Sequence, residues 1–324
     1  MAPILILSQP SSADALHAAY EQRAASAEPG SPDDWRRDHL GASVIGHKCD
    51  RYLWLTFRWA SNPKHEGRML RLFERGKREE AWVVDDLRAA GLQVHDLDPE
   101  TGDQFRMLWH GHFGGSIDGK VLGLVEAPKT EHVLEVKTHN AKSFARLVRD
   151  GVRRAKPEHW AQMQVYMLGT RLDRAFYVAV NKDTDEIYTE RVKLDLEEAN
   201  ALVERARGLI ESTVPAPRLD PEFPPCVYTS ADGTRWPCQF FELCHGDGKM
   251  PEKNCRTCVS STPRDDGSWF CAHRDEVPDR LAQRKGCADH LTIPHLVNAQ
   301  VVTVGPRQVT YQTASGRTIV DGPE

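Results

Sequence analysis

The chain has 324 residues, 40% of them hydrophobic and 27% charged, with a formal net charge of -5. That length suits one medium catalytic domain plus a smaller module, and the composition is ordinary for a soluble globular protein. The mildly acidic balance speaks against a protein that coats nucleic acid by charge alone, and no apolar run reaches membrane-spanning length.

In chain order, the apolar stretch 4–7 is too short for a signal-peptide core and lacks basic residues before it, which predicts a cytoplasmic protein with no membrane partner. Residues 13–27 have helical composition and end at Pro29-Gly30, giving a helix on an N-terminal arm. The aromatic and aliphatic stretch 51–59 is expected to pack on the core, and 68–90 reads as a long helix closed by Gly91. Stretches 92–97, 104–109, 112–121 and 132–138 read as strands separated by Gly and Pro. A helical region, 141–168, is interrupted near Pro157. Then come a strand pair, 174–181 and 186–194, around the turn Asp183-Thr184-Asp185, and a charged amphipathic helix, 196–212. This order predicts an α/β core with a mixed sheet flanked by helices.

From Pro215 the composition shifts to Pro, Cys, Gly and short polar segments, and 301–320 looks like a β-hairpin or small meander. The expected organisation is an arm (1–30), a core (31–214), a Cys-rich segment (215–248) and a C-terminal module with a hairpin (249–324). Seven of the eight cysteines follow residue 225. Without a secretion signal, metal ligation explains them better than disulfides. Cys255-x-x-Cys258 forms a metal knuckle, and Cys271 and Cys287 follow at separations that suit a tetrahedral zinc site. His273 and His290 are possible substitutes.

Charged residues of the catalytic type sit on two predicted strands, in Gly115-Ser116-Ile117-Asp118-Gly119 and Leu134-Glu135-Val136-Lys137-Thr138. Side chains alternate along a strand, so Glu135 and Lys137 share a face and Val136 points opposite. If Asp118 lies on the neighbouring strand, the three converge. Two carboxylates suit a hard cation such as Mg²⁺ or Mn²⁺, and a lysine beside them can stabilise charge developing on a phosphate.

Asp118 followed by Glu135-x-Lys137 resembles the signature of PD-(D/E)XK nucleases, above all the RecB-like and phage exonuclease members. The resemblance spans roughly residues 49–194. It implies a restriction-endonuclease-like fold and an acidic residue on an upstream helix, a place filled by Phe73-Glu74-Arg75-Gly76-Lys77-Arg78-Glu79-Glu80, where Glu80 fits best and Glu79 stays open. It also implies a Gln-x-x-x-Tyr helix, supplied by Gln162 and Tyr166. Cys49, Cys226, Cys238 and Cys244 resemble the split cysteine set of the iron–sulfur nucleases of the AddB and CRISPR-adaptation types, which holds a [4Fe–4S] cluster. The spacing departs from that pattern, since Arg235 stands where a Cys is expected, leaving a cluster, a zinc ion or no metal as the options.

The resemblance implies a metal-dependent, phage-associated DNA exonuclease or end-processing enzyme of recombination or repair, working with recombination or replication proteins. The alternatives are a non-catalytic DNA-binding or assembly protein on a nuclease fold, and a nuclease acting on RNA or branched DNA. Arg146, Arg149, Arg153, Arg154 and Lys156 form a basic stretch that either grips a DNA backbone or is a solvated helix face. Trp54, Trp59, Trp109 and Trp160 are expected to fill the core rather than stack on bases. His110 and His112 are given no role.

Overall fold

The computed structural model describes residues 11–27, 37–230 and 232–323. The stretch 4–7, Pro29-Gly30 and Ala231 lie outside them. The helices are α1 (Ser12–Ala25), α2 (Asp50–Phe57), α3 (Gly67–Ala89), α4 (Ala141–Ala155), α5 (Pro157–Thr170), α6 (Leu196–Glu211), α7 (Phe241–His245) and α8 (Arg280–Lys285). The strands through the core are β1 (Leu40–Gly41), β2 (Gln93–His95), β3 (Arg106–Trp109), β4 (Phe113–Ser116), β5 (Gly119–Leu122), β6 (His132–His139), β7 (Arg174–Asn181) and β8 (Ile187–Lys193). After α6 come β9 (Val227–Thr229), β10 (Arg235–Pro237), β11 (Ser261–Pro263), β12 (Trp269–Cys271), β13 (Gln300–Val304), β14 (Val309–Gln312) and β15 (Thr318–Asp321).

The central sheet runs β2-β5-β6-β7-β8. Only β6 and β7 are parallel within it, and parallel neighbours need a crossover, which α4 and α5 supply. Alternation sorts β6 and β7 into two faces. Leu134, Val136, Phe176 and Val178 pack with Val83 and Val84 of α3. Val133, Ala175, Tyr177 and Ala179 pack with Leu147 of α4 and Met163 and Val165 of α5. The result is a helix–sheet–helix sandwich, as expected. β7 is buried along nearly its whole length, which explains why its sequence reads as a continuous apolar run. The Asn140 side chain caps α4 by accepting from Ser143 N at 2.9 Å, and Pro157 starts α5 at a position that needs no amide donor.

The expected single strand 112–121 is two strands in two sheets. β4 joins β1 and β3 in a small sheet, while β5 belongs to the central one. The chain breaks at Ile117-Asp118, and Gly119 takes a φ of 151° that disfavours a side chain. The sequence alternation continues through the break, so it hides the change of sheet.

The C-terminal segment carries β11–β12 and is not separate from the core. Trp269 of β12 is fully buried within the main cluster, and Arg256 lies 3.5 Å from the Trp59 ring centroid. Arg256 also donates to Phe57 O (3.1 Å) and Asp38 O (3.0 Å). The last segment is a three-stranded meander, β13-β14-β15.

Candidate active site

The β5–β6 register pairs Gly119 with Leu134, which sets Asp118, one residue earlier, opposite Glu135. The Asp118 Oδ2 accepts from Val136 N at 2.7 Å, so the bend between β4 and β5 is tied to β6 through the carboxylate itself. Lys137 Nζ donates to Glu135 Oε1 and, at 3.2 Å, to Val136 O. Glu135 is fully buried, and its Oε2 has no hydrogen-bond partner.

Burial pushes the Asp118 and Glu135 carboxyls up, and Lys137 offsets part of that rise in each. Burial alone would pull Lys137 down, but Glu135 and Asp118 more than reverse it and keep the ammonium protonated. Glu80 of α3 is pushed up to about 7 by burial and then by Asp118. Glu79 instead lines a groove on the α1 side of α3. The structure therefore brings Glu80, Asp118, Glu135 and Lys137 together and turns Glu79 away.

Gln162 and Tyr166 are buried one helical turn apart, and Gln162 Nε2 donates to Tyr166 Oη at 3.2 Å. Burial first, then the Glu135 charge, raises the Tyr166 hydroxyl well above its usual range. Both residues line a cleft of ≈ 1920 Å³ with Glu80, Asp118 and Lys137.

The cleft holds groups that the motif did not reveal. Arg37, His39 and Arg106 line it on the small-sheet side. Burial and the neighbouring arginines push His39 down to about 4. A second cavity of ≈ 960 Å³ opens beside Lys137 and is lined by His139, Lys156, His159 and Lys182. Tyr177 Oη links His139 Nε2 (3.0 Å) and His159 Nδ1 (2.8 Å). The sequence did carry one signal here, since His139 lies two residues beyond Lys137 on the same strand face.

The basic stretch on α4 is largely spoken for. Arg146 and Arg149 pair with Asp150, and Arg153 with Glu198. Trp54 and Trp59 are buried, and Trp109 and Trp160 pack against the core. The buried His112 faces Ser268 O at 3.2 Å.

The cysteines lie in two separate neighbourhoods. Cys49, Cys226, Cys238 and Cys244 line one cavity of ≈ 360 Å³. The β9–β10 hairpin loops out between Cys226 and Cys238, and Cys238 N donates to Cys226 O at 2.7 Å. Burial, then the neighbouring thiols, raises Cys238 to about 11. In the second group, burial followed by Cys287, Cys258 and Cys271 raises Cys255 to about 11. The His273 ring lies against Arg307 Nη1, 2.5 Å from Nδ1 and 2.8 Å from Nε2. His290 Nε2 is 3.1 Å from the Thr257 hydroxyl.

As the side chains stand, no three or more His, Cys, Asp or Glu among the described residues are arranged to hold a metal ion. At the carboxylates the donor set nonetheless fits one. The orphaned Glu135 Oε2, the second Asp118 oxygen and the Glu80 carboxylate are hard oxygen donors, and their raised affinity for protons marks a shortage of positive charge.

No protein-family profile and no curated protein matches the chain. Solved structures resemble part of it. One is an alkaline exonuclease from Laribacter hongkongensis (LHK-Exo), 19% identical over 54% of this chain and 87% of that one, with a TM-score of 0.37. LHK-Exo in complex with dAMP matches at 18% identity over 54% and 87%, TM-score 0.40. SSO0001 matches at 13% over 62% and 87%, TM-score 0.38. At such identities and TM-scores these likenesses carry nothing about this chain's chemistry.

Proposed function

We propose that the chain is a divalent-cation-dependent nuclease that hydrolyses phosphodiester bonds of DNA, acting as an exonuclease or end-processing enzyme. The observation that carries this reading is the meeting of Glu80, Asp118, Glu135 and Lys137, with Glu135 Oε2 buried and unpartnered. A solvated surface pair would not be buried at this cost.

Asp118, Glu135 and Glu80 are the residues that would hold Mg²⁺ or Mn²⁺. When bound, such a cation lowers the pKa of water and neutralises phosphate charge. Lys137, held protonated by Glu135, places a fixed positive charge where charge builds up on the phosphoryl oxygens. The Val136 amide fixes the Asp118 carboxylate, so that group is positioned before substrate arrives. Gln162 orients the Tyr166 hydroxyl towards the same carboxylates. Arg37 and Arg106 give the cleft wall its positive charge for a polyanion.

The two cysteine groups are proposed as structural metal centres: zinc at Cys255, Cys258, Cys271 and Cys287, and a [4Fe–4S] cluster at Cys49, Cys226, Cys238 and Cys244, with zinc as its alternative. Each needs its thiols to close in and lose their protons on binding.

Digestion of end-labelled single- and double-stranded DNA in Mg²⁺, Mn²⁺ or chelator tests the nuclease. Asp118→Asn, Glu135→Gln and Lys137→Ala are expected to lose at least about a hundredfold in rate, roughly 2.7 kcal/mol of barrier. Full cleavage by purified Glu135→Gln would overturn the reading.

A further inference from the structure

Helix α3 has a second face that the catalytic reading leaves unused. Arg68, Arg71, Arg75, Arg78 and Trp82 follow one another at steps of three and four residues and are all exposed. Such steps place them in one row on the helix, and at 1.5 Å per residue the four arginines span about 15 Å. The row borders a groove of ≈ 1080 Å³ that Tyr20 of α1 closes on the other side.

Glu74 answers part of this charge, reaching Arg78 at 3.6 Å and Arg23 at 3.9 Å. Glu79 lies in the same groove. Arg68 and Arg71 have no hydrogen bond or ion pair among the described residues. Arg75 donates to Lys182 O at 2.8 Å, and Lys182 lines the cavity that also holds Glu80, Asp118 and Lys137. The row of guanidinium groups therefore leads into the catalytic cleft.

We propose that this face of α3 holds the backbone of a single-stranded nucleic-acid segment running to the cleft, with Trp82 stacking on one of its bases. The proposal rests on the nuclease reading for the direction of the strand. Guanidinium groups pair with phosphate oxygens in a planar, two-pronged way, and a repeating row of them matches a repeating anion. The Trp82 ring is 63% exposed, and an indole stacks on a base only when that base has left its duplex, which favours a single strand. An acidic peptide would match the charge but leave the ring without a flat partner.

Binding of a fluorescein-labelled oligothymidylate to the full chain in chelator, titrated across salt concentrations, tests this without cleavage. Each phosphate contact on a single strand contributes about 0.7 to the slope of log affinity against log salt. Arg68→Gln/Arg71→Gln is expected to lower that slope by about 1.4, and Trp82→Ala to weaken binding about tenfold. The charge-matched control Arg146→Gln/Arg149→Gln removes two arginines already paired with Asp150 and should leave the slope unchanged. Circular dichroism confirms that each variant folds.

A slope unchanged in Arg68→Gln/Arg71→Gln, or lowered equally by the control, would overturn the proposal. So would a polyglutamate peptide competing as well as unlabelled oligonucleotide. Hydrolysis of bis(p-nitrophenyl) phosphate, a small diester that cannot reach the stripe, is scored separately. Its absence in the unsubstituted protein counts against the nuclease reading, while the binding slopes still decide the stripe.

Discussion

Glu79 and Glu80 are neighbours on one helix with opposite surroundings. Glu80 faces Asp118 and Lys137, and Glu79 faces the arginine groove. The sequence located the pair but could not choose between them, because the rotation of α3 is set by Val83 and Val84 packing on the sheet. Glu135 and Lys137 were legible because strand alternation fixes their common face, whereas Asp118 joins them only through the pairing of β5 with β6. Glu80 also gives a pH prediction. Its carboxyl rises from 4.5 to about 7 in the folded protein. The proton it holds thus stabilises the fold fully below about 4.5, and that contribution is lost as pH rises through about 7. In chelator, the melting temperature of Glu80→Gln relative to the unsubstituted protein should rise between pH 5 and pH 8. Saturating Mg²⁺ should shrink the difference at pH 8, by replacing the lost proton with a cation. A difference that does not change with pH would refute the assignment of Glu80 to the buried cluster.

At the scale of elements, the division of 112–121 into β4 and β5 places the Asp118 carboxylate. The sequence predicted one strand because Gly, Ser and Ile keep the alternation going, and only long-range pairing moves β5 to the other sheet. The small sheet also presses on the motif helix. A Cβ on Gly115 would lie 2.6 Å from Tyr166 Oη, so Gly115→Ala must push the buried ring aside. Cleavage is expected to fall on the order of 10- to 100-fold, while the urea midpoint falls modestly. Activity equal to the unsubstituted protein would show that Tyr166 need not hold its place. The basic stretch of α4 was equally visible in sequence, but its engagement by Asp150 and Glu198 was not. The arginine row of α3 is hidden in the sequence because Glu74, Glu79 and Glu80 are interleaved with it on the same helix.

For the whole molecule, the second cysteine group and the core are linked through Arg256, which stands between Cys255 and Cys258. Its guanidinium is buried against Trp59 and Trp269 and bonds to Phe57 O and Asp38 O. Arg256→Lys loses the planar stack and cannot reach both carbonyls. A loss of about 2–3 kcal/mol in urea unfolding is expected, and a change under about 0.5 kcal/mol would show the contact to be incidental. Metal analysis after anaerobic purification should find about one zinc per chain, lost in Cys255→Ser, and a brown chromophore with matching iron and sulfide, lost in Cys49→Ser. A colourless protein with two zincs would assign zinc to the Cys49 group. The composition change at Pro215 marks a boundary in the sequence, but the packing of Trp269 into the main core is illegible there because one tryptophan in a polar stretch carries no periodicity.

That tryptophan also sets a timetable. Leu53 and Phe57 of α2 share a core with Trp269, Arg51 bonds to Ala216 O and His295 O, and Arg58 bonds to Arg256 O. The carboxylates and the lysine leave the ribosome long before the pieces that close the core beneath their flanking sheet. During synthesis the half that carries them is therefore expected to stay partly open until the last fifth of the chain emerges. Ribosome-bound chains stalled before Trp269 should be cut readily by protease around α2 and should cleave no DNA, and chains released past His295 should resist. On the nuclease reading proposed above, the cell is thereby spared an enzyme that is active before it is complete.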